Sequence, residues 1–203
     1  MSRYWLVLPL TFITVVTGGT DEDIWDCGKI VIDFLSDSEQ LQNYRVVDYT
    51  ASTDGNSLTL KEGVLFGFYD LNLARAEKKK DRKATELTVT LEVPELELSS
   101  LNYFEDEDGS TTLLTLSVTG RDVRFKLGLR YNDEGIRVTT SRFLDMDTAS
   151  VVIEDVDADL YKFSVTPLAR DMFQSVITET VPLALNVTAR DPDLHDALDR
   201  EDC

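Results

Sequence analysis

The sequence predicts an α+β fold: a strongly curved antiparallel sheet of four or five long kinked strands, wrapped around a long C-terminal helix, with another helix at the N-terminus. Long stretches alternate strictly between apolar and polar residues, which is typical of strands with one wet face and one buried face. Apolar residues at helical spacing occur near both ends of the chain. An antiparallel sheet curved around two apolar helices is the economical way to bury all of these surfaces.

The N-terminal helix is predicted from about residue 21 to residue 44. Three acidic residues at its start suit the positive end of the helix dipole. One apolar stripe follows at intervals of three and four residues. Its members are Ile24, Cys27, Val31, Phe34 and Leu35.

The first long strand is predicted from Leu58 to Leu73. Its apolar residues first occupy even-numbered positions and then odd-numbered ones, so the alternation changes phase within the strand. The even-numbered set is Leu58, Leu60, Val64, Phe66 and Phe68, and the odd-numbered set is Leu71 and Leu73. A basic cluster at 78–83 follows. We interpret it as a solvated hairpin turn, with binding of a headgroup or a protein partner as the alternative.

The second and third strands form the central stretch, 87–131. In the second strand, apolar residues occupy odd-numbered positions up to Val93 and even-numbered positions from Leu96. In the third strand, they occupy even-numbered positions up to Val118 and odd-numbered positions from Val123. These phase changes near Pro94 and Gly120 predict a sheet that kinks and has apolar surface on both faces.

The remainder of the chain supplies a fourth strand and the C-terminal helix. The strand begins at Ile136, loses its alternation around 143–146 and resumes at Val151. The helix shows a wide apolar stripe from Ala169 to Ala184, and Pro182 is expected to kink or end it. Residues 191–203 are predicted to be an acidic polar tail.

The N-terminus predicts secretion. Arg3, a short apolar run and small residues before an acidic segment fit a signal peptide at residues 1–19, with an N-terminal anchor as the alternative. The apolar run is too short to span a bilayer, so stable membrane insertion is not expected. One domain at 20–190 is then predicted, since 203 residues with 42% hydrophobic content suffice for one core.

The net charge limits the possible partners. A net charge of −18 repels phosphate backbones and anionic headgroups, which excludes nucleic acid as a partner.

Two cysteines and one sequon suggest covalent modifications. Cys27 and Cys203 are expected to form a disulfide in an oxidising compartment, with two free or intermolecular thiols as the alternative. Asn186 opens the one sequon, Asn186-Val187-Thr188, and is a candidate glycosylation site.

Catalytic and metal-binding constellations are sparse. His195 is the single histidine and lies among aspartates, so we interpret it as a solvated tail residue. The run from Asp155 to Asp159 has the spacing that opens a calcium loop, but Leu160 stands where the loop needs Gly and Thr166 where it needs Glu. We therefore expect no enzyme activity, no cofactor and no metal.

A family resemblance rests on three short segments. These segments resemble strands of the tubular lipid-binding superfamily. They are Leu91-Glu92-Val93-Pro94-Glu95-Leu96-Glu97-Leu98, Gly120 followed by Phe125-Lys126-Leu127, and Leu60–Leu65 leading into the Lys-rich turn. Group 7 mite allergens and, more distantly, juvenile-hormone-binding and takeout-like proteins are members. The juvenile-hormone-binding and takeout-like proteins carry a pair of cysteines near the N-terminus. This chain has only Cys27 there, which favours the group 7-like branch. The resemblance implies a super-rolled sheet around a long helix, an apolar cavity for lipid-like ligands and no catalysis.

The leading hypothesis is a secreted carrier or scavenger of a hydrophobic small molecule or lipid. The rival is a secreted protein-interaction or host-modulating factor with a filled core and an unknown protein partner. A lipocalin barrel fits the carrier role less well, because distinct strands are too few and two helices are present. The residues predicted to line an apolar cavity are Phe66, Phe68, Leu91, Val93, Leu116, Val118, Phe125, Leu127, Phe143, Met172, Phe173, Val176 and Ile177.

Overall fold

The computed structural model of the chain describes residues 21–46, 48–53, 55–154, 158–201 and 203. The predicted signal peptide at 1–19 and the start of the calcium candidate, Asp155 and Asp157, lie outside these residues. The helices are α1 (Asp21–Ser36), α2 (Glu39–Gln42), α3 (Ala158–Ser175), α4 (Val181–Thr188) and α5 (Pro192–Arg200). The strands are β1 (Tyr44–Val46), β2 (Tyr49–Thr53), β3 (Asn56–Phe66), β4 (Asn72–Lys80), β5 (Thr85–Glu105), β6 (Thr111–Asn132), β7 (Gly135–Asp145) and β8 (Thr148–Ile153).

The eight strands form one antiparallel sheet in four long rows. β5 and β6 are the two central rows, of 21 and 22 residues, and they pair along their full length. β3 and β4 lie end to end along the outer side of β5, and β7 and β8 lie end to end along β6. The first and fourth predicted strands are thus each present as two consecutive segments. The short strands β1 and β2 pair with β3.

All four rows are irregular at one level, which we call the crease. Pro94 of β5 lies opposite Asp122 of β6, and Asp122 adopts a left-handed conformation with φ 50°. The outer rows break beside this pair, at 67–71 and at 146–147. Gly67 has φ 118°, and a Cβ there would collide with the carbonyl oxygen of Glu95, so only glycine fits. The crease divides the sheet into a near half (β4, β7 and the adjoining parts of β5 and β6) and a far half (β2, β3, β8 and the rest).

One face of the sheet is buried on both sides of the crease. In β5 the buried residues are Val93 and its odd-numbered predecessors, then Leu96 and its even-numbered successors. Outward neighbours such as Glu92 and Glu97 are polar and partly exposed. The predicted phase changes are therefore confirmed, but the prediction that they place the two parity sets on opposite faces of the sheet is wrong. The crease rotates the backbone, and both sets of side chains enter the same core.

The sheet curves around the long C-terminal helix. Helix α3 contacts β2 and β8, which are the opposite edges of the far half. Four strand spacings separate these edges, or about 19 Å in a flat sheet, which exceeds the width of one helix. The sheet must bend for one helix to touch both edges. Since β2 and β8 do not pair, the curved sheet stays open, and the predicted fold class is confirmed.

The C-terminal helix continues beyond the predicted break. A π-helical turn at Val176–Thr180 joins α3 to α4, in which Pro182 occupies the first turn. The wider turn directs the Val181 N–H to the carbonyl of Val176. Proline has no N–H to contribute to the helix, and at this position the rearranged turn accommodates it. Helical structure therefore extends to Thr188.

The predicted polar tail folds as helix α5. The Asp191 carboxylate caps it by accepting a hydrogen bond of 2.9 Å from the Asp193 N–H. Leu194 and Leu198 on its inner side are fully buried in the common core. Cys203 forms a disulfide with Cys27 of α1, and the Cα atoms are 5.6 Å apart. The predicted pairing of these two cysteines is confirmed.

Candidate functional site

The candidate site is the core between the concave face of the sheet and the C-terminal helix. Most residues predicted to line a cavity come together here, in one continuous cluster with no solvent exposure. They are Leu91, Val93, Leu116, Val118, Phe125, Leu127, Met172, Phe173, Val176 and Ile177.

The three other predicted aromatics differ in their burial. Phe68, in a 3₁₀ turn at the crease, is buried in the same apolar cluster. Phe143 on β7 is half-buried, and its ring stands edge-on to that of Phe125 with the centroids 6.0 Å apart. Phe66 is 36% exposed on the outer face, so its predicted inward position is wrong. A β-bulge between Leu60 and Glu62 shifts the strand by one residue and sends Leu65 inward instead.

The centre of this core is tightly packed where helix and sheet meet at the crease. Gly120 of β6 faces the ring of Phe173, and a Cβ placed on Gly120 would lie only 2.8 Å from Phe173 Cε1. Two carbon atoms this close repel each other, so the ring or the strand would have to move. The ring of Phe173 therefore fills the space that a side chain at position 120 would need.

An apolar notch opens on the surface above this core, between α2, β1 and α4. It has a volume of about 150 Å³ and is lined by Gln40, Tyr44, Leu183, Ala184, Val187 and Thr188. Ala184 at its floor belongs to the buried core. Leu183 and Val187 on its rim are 66% and 65% exposed, although both are large and apolar. The predicted glycosylation site, Asn186, lies on the same helix and is partly exposed.

One polar pair interrupts the apolar inner face of the far half. Ser100 and Asn102 of β5 are 3% and 0% exposed. The Asn102 side-chain Nδ2 donates to the Ser100 carbonyl at 3.1 Å and to Ser100 Oγ at 2.9 Å. The amide oxygen, Oδ1, is buried without a hydrogen-bond partner among the described residues. Sequence reasoning missed this pair, although the even parity of Leu96, Leu98 and Phe104 already places positions 100 and 102 inside.

A polar cleft of about 400 Å³ lies at the end of the near half, between the basic turn, the β6–β7 turn and α5. Asp81 Oδ1 accepts hydrogen bonds from the N–H groups of Lys83 and Ala84, which hold the pKa of this carboxyl below its usual range. Arg130 adds to the effect, since its guanidinium lies 3.5 Å from Asp81 Oδ2. The basic turn is thus organised around one ionised carboxylate.

His195 also lines this cleft, and the interpretation of a solvated tail residue is wrong. Its side chain is 18% exposed, because α5 presses it against the β6–β7 turn. Nε2 lies 2.9 Å from the carbonyl oxygen of Asn132. A carbonyl only accepts, so Nε2 carries the proton in this bond. The histidine holds the last helix to the sheet.

Within the described ranges, no three His, Cys, Asp or Glu side chains come close enough to hold a metal ion. The same part of the chain has no helix that is both long and apolar enough to cross a bilayer.

The fold resembles that of solved structures, two of which are described here. A search against family models and a search of curated proteins both find no match. The chain is similar to the crystal structure of Epiphyas postvittana Takeout 1, at 14% identity and a TM-score of 0.46, over 86% of this chain and 89% of that one. It is also similar to lipopolysaccharide binding protein, at 11% identity and a TM-score of 0.30, over 81% of this chain and 38% of that one. Since both TM-scores are below 0.5, membership of the group 7-like branch stays a prediction.

Proposed function

We propose that this protein is a secreted, non-enzymatic carrier or scavenger that holds a lipid-like hydrophobic molecule between the concave face of its sheet and its C-terminal helix. The observation that carries the proposal is the architecture of the core. An open, curved sheet and one long helix enclose a continuous apolar interior, and an apolar notch reaches that interior at Ala184. Ligand pockets in proteins are mostly apolar with few polar groups, which is the composition found here.

The ligand is expected to enter at the notch and to displace α4 from the sheet. One feature favours this displacement of α4, and one contact would have to break for it. The π-helical turn at Val176–Thr180 separates it from α3, and π turns are frequent at functional sites. A hydrogen bond of 2.7 Å from Ser141 Oγ to the Pro182 carbonyl ties its first turn to the edge strand β7. Burial of an alkyl chain in the opened space supplies about 25 cal/mol per Å² of apolar area.

The test is uptake of a fluorescent long-chain fatty acid by the purified protein, together with native mass spectrometry before and after lipid extraction. Ala184→Phe is expected to fill the notch and to reduce uptake at least tenfold. Val152→Phe is the matched control, because Val152 is exposed on the outer side of β8 and lies outside the notch. Protein that is isolated empty and takes up no fatty acid would contradict the proposal.

A protein-interaction factor is the second candidate, and a different observation favours it. The core is tightly packed at Gly120, and three large apolar residues are exposed on the outer face of the far half. Tyr103 lies directly opposite Leu113, and Leu101 follows on the same face. Lys61 lies over the Tyr103 ring at 5.2 Å from its centroid. Tyr103→Ser should then abolish partner capture in a pull-down while leaving fatty-acid uptake unchanged.

A further inference from the structure

We infer that Ser100 and Asn102 form the polar anchor of the ligand site, and that the ligand is an apolar molecule carrying a hydroxyl group. This inference rests on the proposed function. It adds the chemical class of the ligand and the end of the core at which the polar group of the ligand lies.

The orientation of the Asn102 amide is determined by its neighbours. The backbone carbonyl of Ser100 can only accept, so the Asn102 atom 3.1 Å from it must be the nitrogen, Nδ2. Oδ1 therefore lies on the other side of the amide group, where it is buried and has no partner in the described part of the chain. A buried amide oxygen without a hydrogen bond is a rare and costly feature of a folded protein.

The surroundings of this oxygen are apolar. Asn102 pairs with Leu60 on one side and with Leu114 on the other, and both leucines are fully buried. The next inward residue of β5 is Phe104, whose ring packs edge-on against Tyr161 of α3 with the centroids 5.8 Å apart. A single acceptor in such a setting selects a hydrogen-bond donor on an otherwise apolar molecule.

Ser100 complements this acceptor with a donor. Its Oγ accepts the bond from Asn102 Nδ2, and no described residue receives the hydroxyl hydrogen. An alcohol on the ligand can donate to Asn102 Oδ1 and accept from the Ser100 hydroxyl at the same time. An ether or an ester can accept from Ser100 but leaves Asn102 Oδ1 unpaired. The pair is therefore expected to discriminate in favour of the hydroxyl-bearing ligand.

The experiment compares hexadecan-1-ol with its methyl ether as competitors of a bound fluorescent fatty acid. The native protein is expected to bind the alcohol about tenfold more tightly than the ether, the difference that one net hydrogen bond provides. Asn102→Leu should bind the two equally, with the affinity for the ether unchanged or improved. Thr85→Val is the matched control, since Thr85 is also buried and polar on β5 but lies in the near half, and it should keep the tenfold preference.

Two outcomes would overturn the inference, and they differ from each other. Equal binding of the alcohol and the ether by the native protein would mean that Asn102 Oδ1 is satisfied by trapped water, with the proposed carrier function intact. Failure of the native protein to bind either competitor or the fatty acid would remove the carrier function together with the anchor. Ser100→Ala provides the second variant if Asn102→Leu does not fold, and it should reduce the alcohol preference on its own.

Discussion

The two halves of the sheet are built from the same two central strands but differ in what they place inside. In the near half, four consecutive inward pairs of β5 and β6 join large apolar residues. These pairs are Leu87 with Leu129, Val89 with Leu127, Leu91 with Phe125, and Val93 with Val123. In the far half the inward pairs are Leu96 with Gly120, Leu98 with Val118, Ser100 with Leu116, Asn102 with Leu114, and Phe104 with Thr112. Apart from Thr85 at the start of β5, small and polar residues of the inward set thus occur only beyond the crease.

The helices that cover the two halves differ as well. Helices α1, α4 and α5 contact the near half, and the disulfide joins α1 to Cys203, just after α5. In the far half, α3 contacts β2, β3 and β8, and the short helix α2 also contacts β3. We infer that the near half supplies most of the stability, whereas the far half keeps the polar interior that a binding site requires. The predictions below test this division, from the largest expected effect to the smallest.

Removal of the disulfide should weaken the near half most. The double variant Cys27→Ala/Cys203→Ala opens a cross-link between residues 176 positions apart. The chain-entropy model predicts a loss of about 5 kcal/mol in the free energy of unfolding. Urea denaturation measures the global loss, and native-state hydrogen exchange should show that α1 and α5 open at a lower free energy than β3 in the double variant. Opening of both halves at one and the same free energy would contradict the division.

Matched truncations in the central strands should have unequal costs. Leu91→Ala removes a side chain that packs against Phe125, and we expect a loss of about 3–5 kcal/mol. Leu116→Ala removes an equally buried leucine opposite the small Ser100, so its contacts are fewer and a loss of about 2–3 kcal/mol is expected. Urea denaturation of the two variants measures both losses. A larger loss for Leu116→Ala than for Leu91→Ala would contradict the expected difference between the halves.

The crease should not tolerate a methyl group. Gly120→Ala places a Cβ against the Phe173 ring, and overpacking of this kind costs about 1–3 kcal/mol. The second-site variant Gly120→Ala/Phe173→Leu should recover part of the loss, because leucine lacks the ring atoms that collide. Thermal unfolding of the three proteins measures this. No recovery in the double variant would show that the strain lies in the backbone and not in the ring contact.

The smallest expected effect is the acid sensitivity of the basic turn. The pKa of Asp81 is lowered by the N–H groups of Lys83 and Ala84, so its ionised form stabilises the turn. This contribution is complete above the unfolded pKa of about 3.9 and is lost as the pH falls through the lower folded pKa. Asp81→Asn should flatten the stability profile in this acid range only. Glu134→Gln in the neighbouring turn is the control and should leave the profile unchanged.

The main features of the fold were predictable, because long strands with one buried face impose an alternation that is visible in the sequence. The crease was predictable for the same reason, since Val93 and Leu96 differ in parity. The bulge between Leu60 and Glu62 was not predictable, because one inserted residue reverses which side chains face inward and leaves no clear mark in the sequence. Phe66 was therefore assigned to the wrong face.

Helix α5 was missed because charged residues outnumber its two buried leucines. The disulfide and the contact of His195 with Asn132, together with the burial of Leu194 and Leu198, show why this segment packs on the sheet. The candidate site was predicted in part. Its apolar residues follow from parity, but the unpaired oxygen of Asn102 depends on where the neighbouring amide and carbonyl groups lie.

The sequence by itself determined that the chain alternates along four long rows, that both ends carry apolar helices and that Cys27 and Cys203 can pair. These properties are local, because parity and spacing depend on neighbours along the chain. Only the tertiary structure decided that both parity sets of the central strands enter one core, that the helix passes through Pro182, and that Asn102 is buried with one unpaired oxygen. Each of these depends on contacts between residues far apart in sequence, and such contacts form only when the crease brings the rows together around the helix.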